Sequence, residues 1–418
     1  MCWALEKQEI RKIVLASKKI LLFAYYYLPD NTSGVQRAVR MAKYLPRYGF
    51  DPIVIASSHA GVEPNLASVE HVPVPGNQAP HHREALARLA QRIAPYNERL
   101  EWVPHAIHAA RKVLAREPVA AVVSTSPPLA THLAALAIKM HYGLNWVADF
   151  RDPLYGNPGR PRRWARPYDK ALEYAIFTAA DSIVGVTDTV VGEWTARYPR
   201  LRHKFHVIWN GFDPEDTLRA ECIPPRDYQE LAHVGVLYSQ RHPYRLVAGL
   251  DRLIQRGRLD PKSIRLRFIG PIQERQRFES NAACATLLRQ GCMEIQGELI
   301  PRAEANRVIA TADSLLLIDI VNLSRAGYTV PAKLYDYILI GRPILALTDP
   351  HSPVERILVQ SGVPQVCLYH DDSEAEFDHK LLRFFEFSSD PISPSSQFME
   401  NFDGRRQAEA LSLLFVHK

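Results

Sequence analysis

The stretch that decides the fold runs from Asn322 to Pro343, NLSRAGYTVPAKLYDYILIGRP. It follows an apolar run, residues 315–321, that reads as a buried strand of a parallel sheet. Pro331 suits the first helical position, where its missing N–H costs nothing. Gly341, followed by Arg342-Pro343, is a stop signal. The loop 322–330 therefore delivers a helix N-terminus at the carboxyl end of a strand. In open α/β sheets ligands bind there, and free N–H groups favour an anion such as a phosphate. Lys333 and Asp336 are three apart and share a helix face, roughly 4.5 Å apart along its axis. That spacing suits an ammonium near a phosphate and a carboxylate near a sugar hydroxyl of one nucleotide. The alternative is a surface Lys–Asp pair on an ordinary helix.

Outward from this unit, strands and helices alternate in both directions. Strands are expected at 20–27, 52–57, 69–74, 119–124, 146–150, 182–186 and 205–209, then at 233–238, 265–269, 293–296, 315–321, 344–347 and 365–369. Such alternation implies parallel sheets with right-handed crossovers. The expected fold is α/β: two Rossmann-like, doubly wound parallel-sheet domains facing each other across a cleft. The first spans 1–209 and the second 210–397, with the polar, proline-bearing stretch after Asn210-Gly211-Phe212-Asp213-Pro214 as linker. Segment 398–418 carries a final helix, 398–415, expected to return to the first domain. Residues 1–16 read as a short charged helix, 81–116 as amphipathic helices, 274–289 as one helix, and 371–395 as a polar surface connector.

At 418 residues the chain is too long for one ordinary core. Five scattered cysteines form no CxxC pair, which argues against a disulfide framework or a zinc site and for a reducing cytoplasm. A formal charge of +6 suits phosphate-bearing substrates or an anionic membrane surface, and does not by itself indicate nucleic-acid binding. No run approaches the ~20 apolar residues that cross a bilayer. Arg83, Arg88, Arg92 and Arg99 recur among apolar residues, and Arg160, Arg162, Arg163 and Arg166 surround Trp164. Both basic segments, the helices Arg83–Arg116 and the loop Arg160–Arg166, are candidates for weak peripheral membrane contact.

The turn after the first strand, LPDNTSGVQRA, lacks GxGxxG, and so does FIGPIQER. A dinucleotide-dependent dehydrogenase is disfavoured. No GxxxxGK[ST], GxSxG or HExxH occurs, and no metal site is expected. Four stretches, in order, carry a resemblance: YYYLPDNTSGVQRAVRMAKYLPRYGFDPIVI, STSPPLATHLAALAIKMHYGLNWVADFRDP, VIWNGFDPED and VPAKLYDYILIGRPILAL. Together they resemble the family 4-like, sugar-nucleotide-dependent glycosyltransferases of the GT-B fold.

The resemblance implies a retaining, metal-independent enzyme that needs no cofactor beyond its nucleotide-diphosphate sugar. The acceptor would be a glycan, a lipid-linked saccharide or a small molecule. Ser33 and Gly34 match the family's small-residue loop beside the phosphates. Gly235 matches the glycine that opens the nucleotide site, and Arg241 the basic residue that neutralises the donor diphosphate. Asp336 matches the acid that accepts from the ribose, and Thr329 and Val330 the loop whose amides meet the diphosphate. Lys333 would add charge there. Asp149, Arg151 and Asp152 stand at the strand end where the family presents acceptor-side polar groups. Tyr328, Val236 and the short side chain of Asp336 depart from the family pattern. The rival readings are a sugar-nucleotide epimerase of the same fold and a non-catalytic subunit. For Asp149 and Asp152 the plainer alternative is pairing with Arg151, for Arg241 an exposed loop arginine, and for His132 a packed histidine.

Overall fold

The structure is a computed structural model and describes residues 18–28, 30, 34–58, 68–73, 98–157, 160, 162–216, 218–238, 241–319 and 330–415. The strands β1 (Lys18–Phe23), β2 (Phe50–Ser58), β3 (Ser68–Pro73), β4 (Val119–Ser126), β5 (Asn145–Phe150), β6 (Ser182–Gly185) and β7 (Phe205–Val207) form one sheet, ordered β3-β2-β1-β4-β5-β6-β7. A second sheet contains β8 (Gln229–Val234), β9 (Ile264–Ile269), β10 (Met293–Gln296), β11 (Ser314–Ile318), β12 (Ile344–Leu347) and β13 (Gln365–Leu368), ordered β10-β9-β8-β11-β12-β13. Every pairing between these strands is parallel. Parallel neighbours need crossover helices, which cover both faces of the sheet. Accordingly β11 and β12 are buried at every residue.

The chain divides into two compact units, Met1–Pro214 with Phe402–Lys418, and Glu215–Asn401. Both sheets follow the same order, and the first adds β7 at its edge. The order reverses between β1 and β4, and between β8 and β11. Those two points are where a doubly wound sheet opens a crevice at its carboxyl edge.

The unit boundary falls at Pro214, not at 209. The C-terminal segment returns at Phe402, not at 398, because it is two helices rather than one. Ser396–Asn401 belongs to the second unit, and Asp403 caps Gly404–Leu413, its side chain accepting from Arg405 N at 2.7 Å. Phe212 N donates to Phe402 O and Gly404 N to Phe212 O, both at 3.0 Å. A side chain at Gly211 would lie 1.9 Å from Phe402 O, so only glycine admits this approach. Beyond it, Ala408, Leu411, Leu414 and Phe415 complete the core over β1 and β2, with Phe415 edge-on to Phe50 at 4.9 Å.

Three further expectations change. The strand placed at 233–238 is Gln229–Val234. Its polar start disguised it, because Glu230 is buried and accepts from Arg226 and Arg267, each at 3.0 Å. The helix expected over 274–289 breaks at Asn281, whose side chain caps Ala282–Arg289. The supposed connector 371–395 contains the helix Glu374–Phe384, opened by a capping box of Ser373 and Glu376 and buried through Phe377, Leu381 and Phe384. The expected helix over 1–16 and the portion 81–97 lie outside the described residues; Val103–Arg116 is helical. Among the described residues no helix is long and apolar enough to cross a membrane.

The capping box gives a direct check. Ser373→Ala removes the side-chain acceptor for Glu376 N and should cost about 1 kcal/mol. A lower urea midpoint for the second unit with an unchanged slope is the expected result.

Candidate functional site

In the first unit the switch point is filled by the protein's own charges. Arg151 sits just past β5 and donates to three backbone carbonyls, Ser126 O at 3.1 Å and also Gly34 O and Pro127 O. A Cβ on Gly34 would lie 2.3 Å from Arg151 Nη1. Gly34 therefore lies directly against the Arg151 guanidinium. Asp149, the last residue but one of β5, is fully buried. Its carboxylate accepts from Arg37 Nε at 2.9 Å and Nη2 at 2.7 Å, and from Thr125 Oγ1 at 2.7 Å. Arg37 also donates to Ile208 O, Trp209 O and Asn210 Oδ1 at 3.0–3.1 Å. Asp149 thus pairs with Arg37 rather than Arg151. Its oxygens face no solvent, which makes it a tie between β5, the helix Val35–Tyr44 and the segment after β7. Asp152 is half-buried beside Arg151. Ser33 lies outside the described residues.

His132 is a packed histidine. Ser124 Oγ accepts from Trp146 Nε1 at 2.8 Å and lies 2.8 Å from His132 Nδ1. The ring stacks near Phe150 at 4.2 Å, and burial lowers its pKa to about 3. Cys284 and Cys292 are buried, and burial pushes both thiols up, Cys284 to about 12.

The second unit brings Gly235, Arg241 and Lys333 together at its switch point. Gly235 follows β8 with φ +115°, a conformation that excludes other residues. Gly270, at the end of β9 with φ +122°, lies against it: a Cβ there would be 2.8 Å from Gly235 O. Lys333 opens the helix Lys333–Ile340, and Pro331 lies in the turn before it, Leu334 N donating to Pro331 O at 3.0 Å. Gly341 ends that helix at φ +75°, as the stop signal implies. Tyr337 pins the helix to β8, its hydroxyl accepting from Val234 N at 3.1 Å. That link places Lys333 Nζ 3.0 Å from where a Cβ of Gly235 would stand.

Nζ also lies 3.3 Å from His233 Nε2. His233 is buried on β8, its Nδ1 3.0 Å from Leu316 O. A carbonyl only accepts, so the proton sits on Nδ1 and the Nε2 lone pair faces Lys333. Arg241 lies over the Tyr238 ring at 5.6 Å, and its positive charge reaches both Lys333 and His233. Burial and that charge push the Lys333 ammonium down to about 7; burial, then Lys333, then Arg241 hold His233 well below its usual value. Asp336 is half-buried one turn along, and the Val330 side chain is buried, so Val330 offers backbone alone. Thr329 and Tyr328 lie outside the described residues. His233, Arg37 and Tyr337 escaped the sequence reading. His233 carried a weak signal, standing two residues before the site glycine on the strand that leads to it; Arg37 carried none.

Two Rossmann-like units in series, each with its switch point at the carboxyl edge of a parallel sheet, define the GT-B class of fold. Residues 33–216 match the model of Glycosyltransferase Family 4. Among solved structures, it is similar to WaaG, a glycosyltransferase involved in lipopolysaccharide biosynthesis, at 16% identity and a TM-score of 0.60, covering 96% of this chain and 100% of that one. Anabaena Alr3699/HepE, in complex with UDP and glucose, aligns at 13% identity and 0.60, covering 95% and 98%. The catalytic domain of starch synthase IV from Arabidopsis thaliana, bound to ADP and acarbose, aligns at 10% and 0.61, covering 96% and 99%. A search of curated protein sequences finds no match.

Two outcomes follow. Asp149→Ala leaves Arg37 buried without its carboxylate and should cost about 3–5 kcal/mol of stability. Chemical denaturation checks it, and a variant of native stability that is merely inactive would return Asp149 to a catalytic role. For Lys333, the unfolded chain binds more protons than the native one between about pH 7 and 10. Native stability should therefore rise with pH across that window, the penalty being complete below pH 7. Lys333→Met removes it, so the variant should exceed the parent most at pH 6, with the gap closing toward pH 10 in denaturant titrations.

Proposed function

We propose that the protein is a glycosyltransferase that takes a sugar from a nucleotide-diphosphate donor bound in the second unit. One observation carries this reading: Lys333 and Arg241 bring two basic side chains to the carboxyl edge of β8 and β11, over a glycine that leaves room for an anion. Among the described residues no carboxylate lies within ion-pairing distance of Lys333 Nζ, so the site is built for a ligand that brings its own negative charge. A diphosphate fits that demand. Its charge grows as it leaves, and fixed cations stabilise that change more than the ground state. Asp336 would accept from the ribose hydroxyls. Retention of configuration and a saccharide or lipid-linked acceptor, met by the first unit, complete the proposal. The reaction as we read it draws its positive charge from these side chains and needs no metal or other cofactor, so activity should survive chelation by EDTA.

Incubation with UDP-, ADP-, GDP- and dTDP-sugars, followed by product analysis, tests the proposal. Transfer to an acceptor, or slow hydrolysis, supports it; an epimerised donor or binding without turnover overturns it. Asp336→Ala should weaken nucleoside diphosphate binding by about 1.5–3 kcal/mol, roughly ten- to a hundredfold, by calorimetry. Arg241→Ala should lower kcat more than affinity, and lysine there should rescue only partly.

We also propose weak attachment of a cytoplasmic enzyme to an anionic membrane. Trp164 is 62% exposed, and Tyr168, Arg162, Arg166 and Lys170 are exposed around it. Of the Arg83–Arg116 helices, Arg111, Lys112 and Arg116 are exposed on Val103–Arg116, while 83–97 lie outside the described residues. Basic groups near an anionic surface contribute about 1 kcal/mol each and fade with salt. Flotation should be greater with anionic than with neutral vesicles, and Trp164→Ala should reduce it.

A further inference from the structure

Lys333 is an unusual phosphate ligand. It is largely buried, its close polar neighbour is an imidazole lone pair, and the charge acting on it is that of Arg241, of its own sign. A surface lysine would meet an incoming phosphate already charged. At this position burial disfavours the ammonium, and a diphosphate supplies a counter-charge that no carboxylate among the described residues provides.

Among the described residues, the titratable groups on the elements around Nζ are Glu230 and His233 on β8, Arg241 after it, Asp319 just past β11, and Tyr335, Asp336 and Tyr337 on the lysine's own helix. Glu230 accepts from Arg226 and Arg267. Asp319 is buried and accepts from Thr348 Oγ1 at 3.2 Å. Burial raises the Tyr337 phenol, which stays neutral. His233 has Nδ1 committed to Leu316 O, and a second proton on Nε2 would point at two cations. It therefore stays neutral and accepts from Lys333 in either protonation state of the amine.

We propose that Lys333 and His233 form one proton-linked clamp for the diphosphate. Lys333 binds the phosphate oxygens as an ammonium whose extra proton comes from solvent as the nucleotide arrives, and His233 holds that nitrogen over Gly235. When the nucleoside diphosphate departs, the proton returns to solvent and the uncharged amine remains against Nε2. His233 is a positioning residue: it touches Lys333, not the substrate. The inference rests on the nucleotide-site reading above and adds to it the protonation step and the role of His233.

The test is calorimetry of UDP, ADP, GDP and dTDP binding to the full chain, in buffers of different ionisation enthalpy. For whichever nucleotide binds, uptake should be about half a proton at pH 7, approaching one at pH 8, and affinity should fall toward tenfold per pH unit above that. Lys333→Arg keeps a permanent charge and should bind with no proton uptake. His233→Asn keeps the donor to Leu316 O and removes the acceptor facing Lys333; affinity should drop about tenfold. His233→Gln returns an acceptor at that end and should restore most of the loss. Binding by the parent chain without proton uptake, or equal affinities in His233→Asn and the parent, overturns the clamp and leaves the nucleotide site standing. Binding of none of the four nucleotides overturns the site itself and the clamp with it. If His233→Asn fails to fold, the comparison of Lys333→Arg with the parent decides.

Discussion

Two sheets of the same parallel order govern everything else in this molecule. A parallel strand cannot be joined to its neighbour by a tight turn, so each connection becomes a helix crossing one face. Crossing to one side of the first strand and then to the other reverses the order at one point in each sheet. There the strand ends are left without a covering connection, and loops from both sides of the reversal can converge. The placement of Gly34, Arg151, Gly235 and Lys333 at these two points is a consequence of topology before it is one of chemistry.

The two switch points use buried charge in opposite ways. In the first unit the charges are closed on themselves. Arg37 meets Asp149 with two nitrogens and directs its remaining donors to carbonyls and an amide oxygen. A buried pair so fully bonded holds geometry, and is costly to break from one side. In the second unit Lys333 has an imidazole and another cation for neighbours. That arrangement lowers stability when the amine is charged, and it favours an anion. Sites that bind often keep such local deficits, which the rest of the fold offsets.

Much of the fold was legible because buried parallel strands are short apolar runs between helical periods. The strands within 315–318, 344–347 and 146–150 could be read with no knowledge of their partners. Two of the misreadings come from polar residues that mask a buried element. Strand β8 begins with Gln229-Glu230, polar in sequence and buried in fact, because Arg226 and Arg267 come from elsewhere to neutralise Glu230. The helix Glu374–Phe384 announced itself through Ser373 and Glu376, but its charged composition obscured the stripe of Phe377, Leu381 and Phe384.

By itself the sequence determined the fold class, the alternation of strands and helices in two parallel-sheet units, and the helix that stops at Gly341. These follow from local rules, in which each residue's preference depends on a few neighbours along the chain. Only the tertiary structure decided what the charged residues do. Asp149 and Arg151 stand two apart in DFRDP, yet one is tied to Arg37, 112 positions earlier, and the other to carbonyls at the end of β4 and at the start of the helix Val35–Tyr44. His233 and Lys333 are 100 positions apart and meet because Tyr337 fastens their elements together. A charge takes its role from its partner and from how much water it has lost, and both are set by which strands lie side by side.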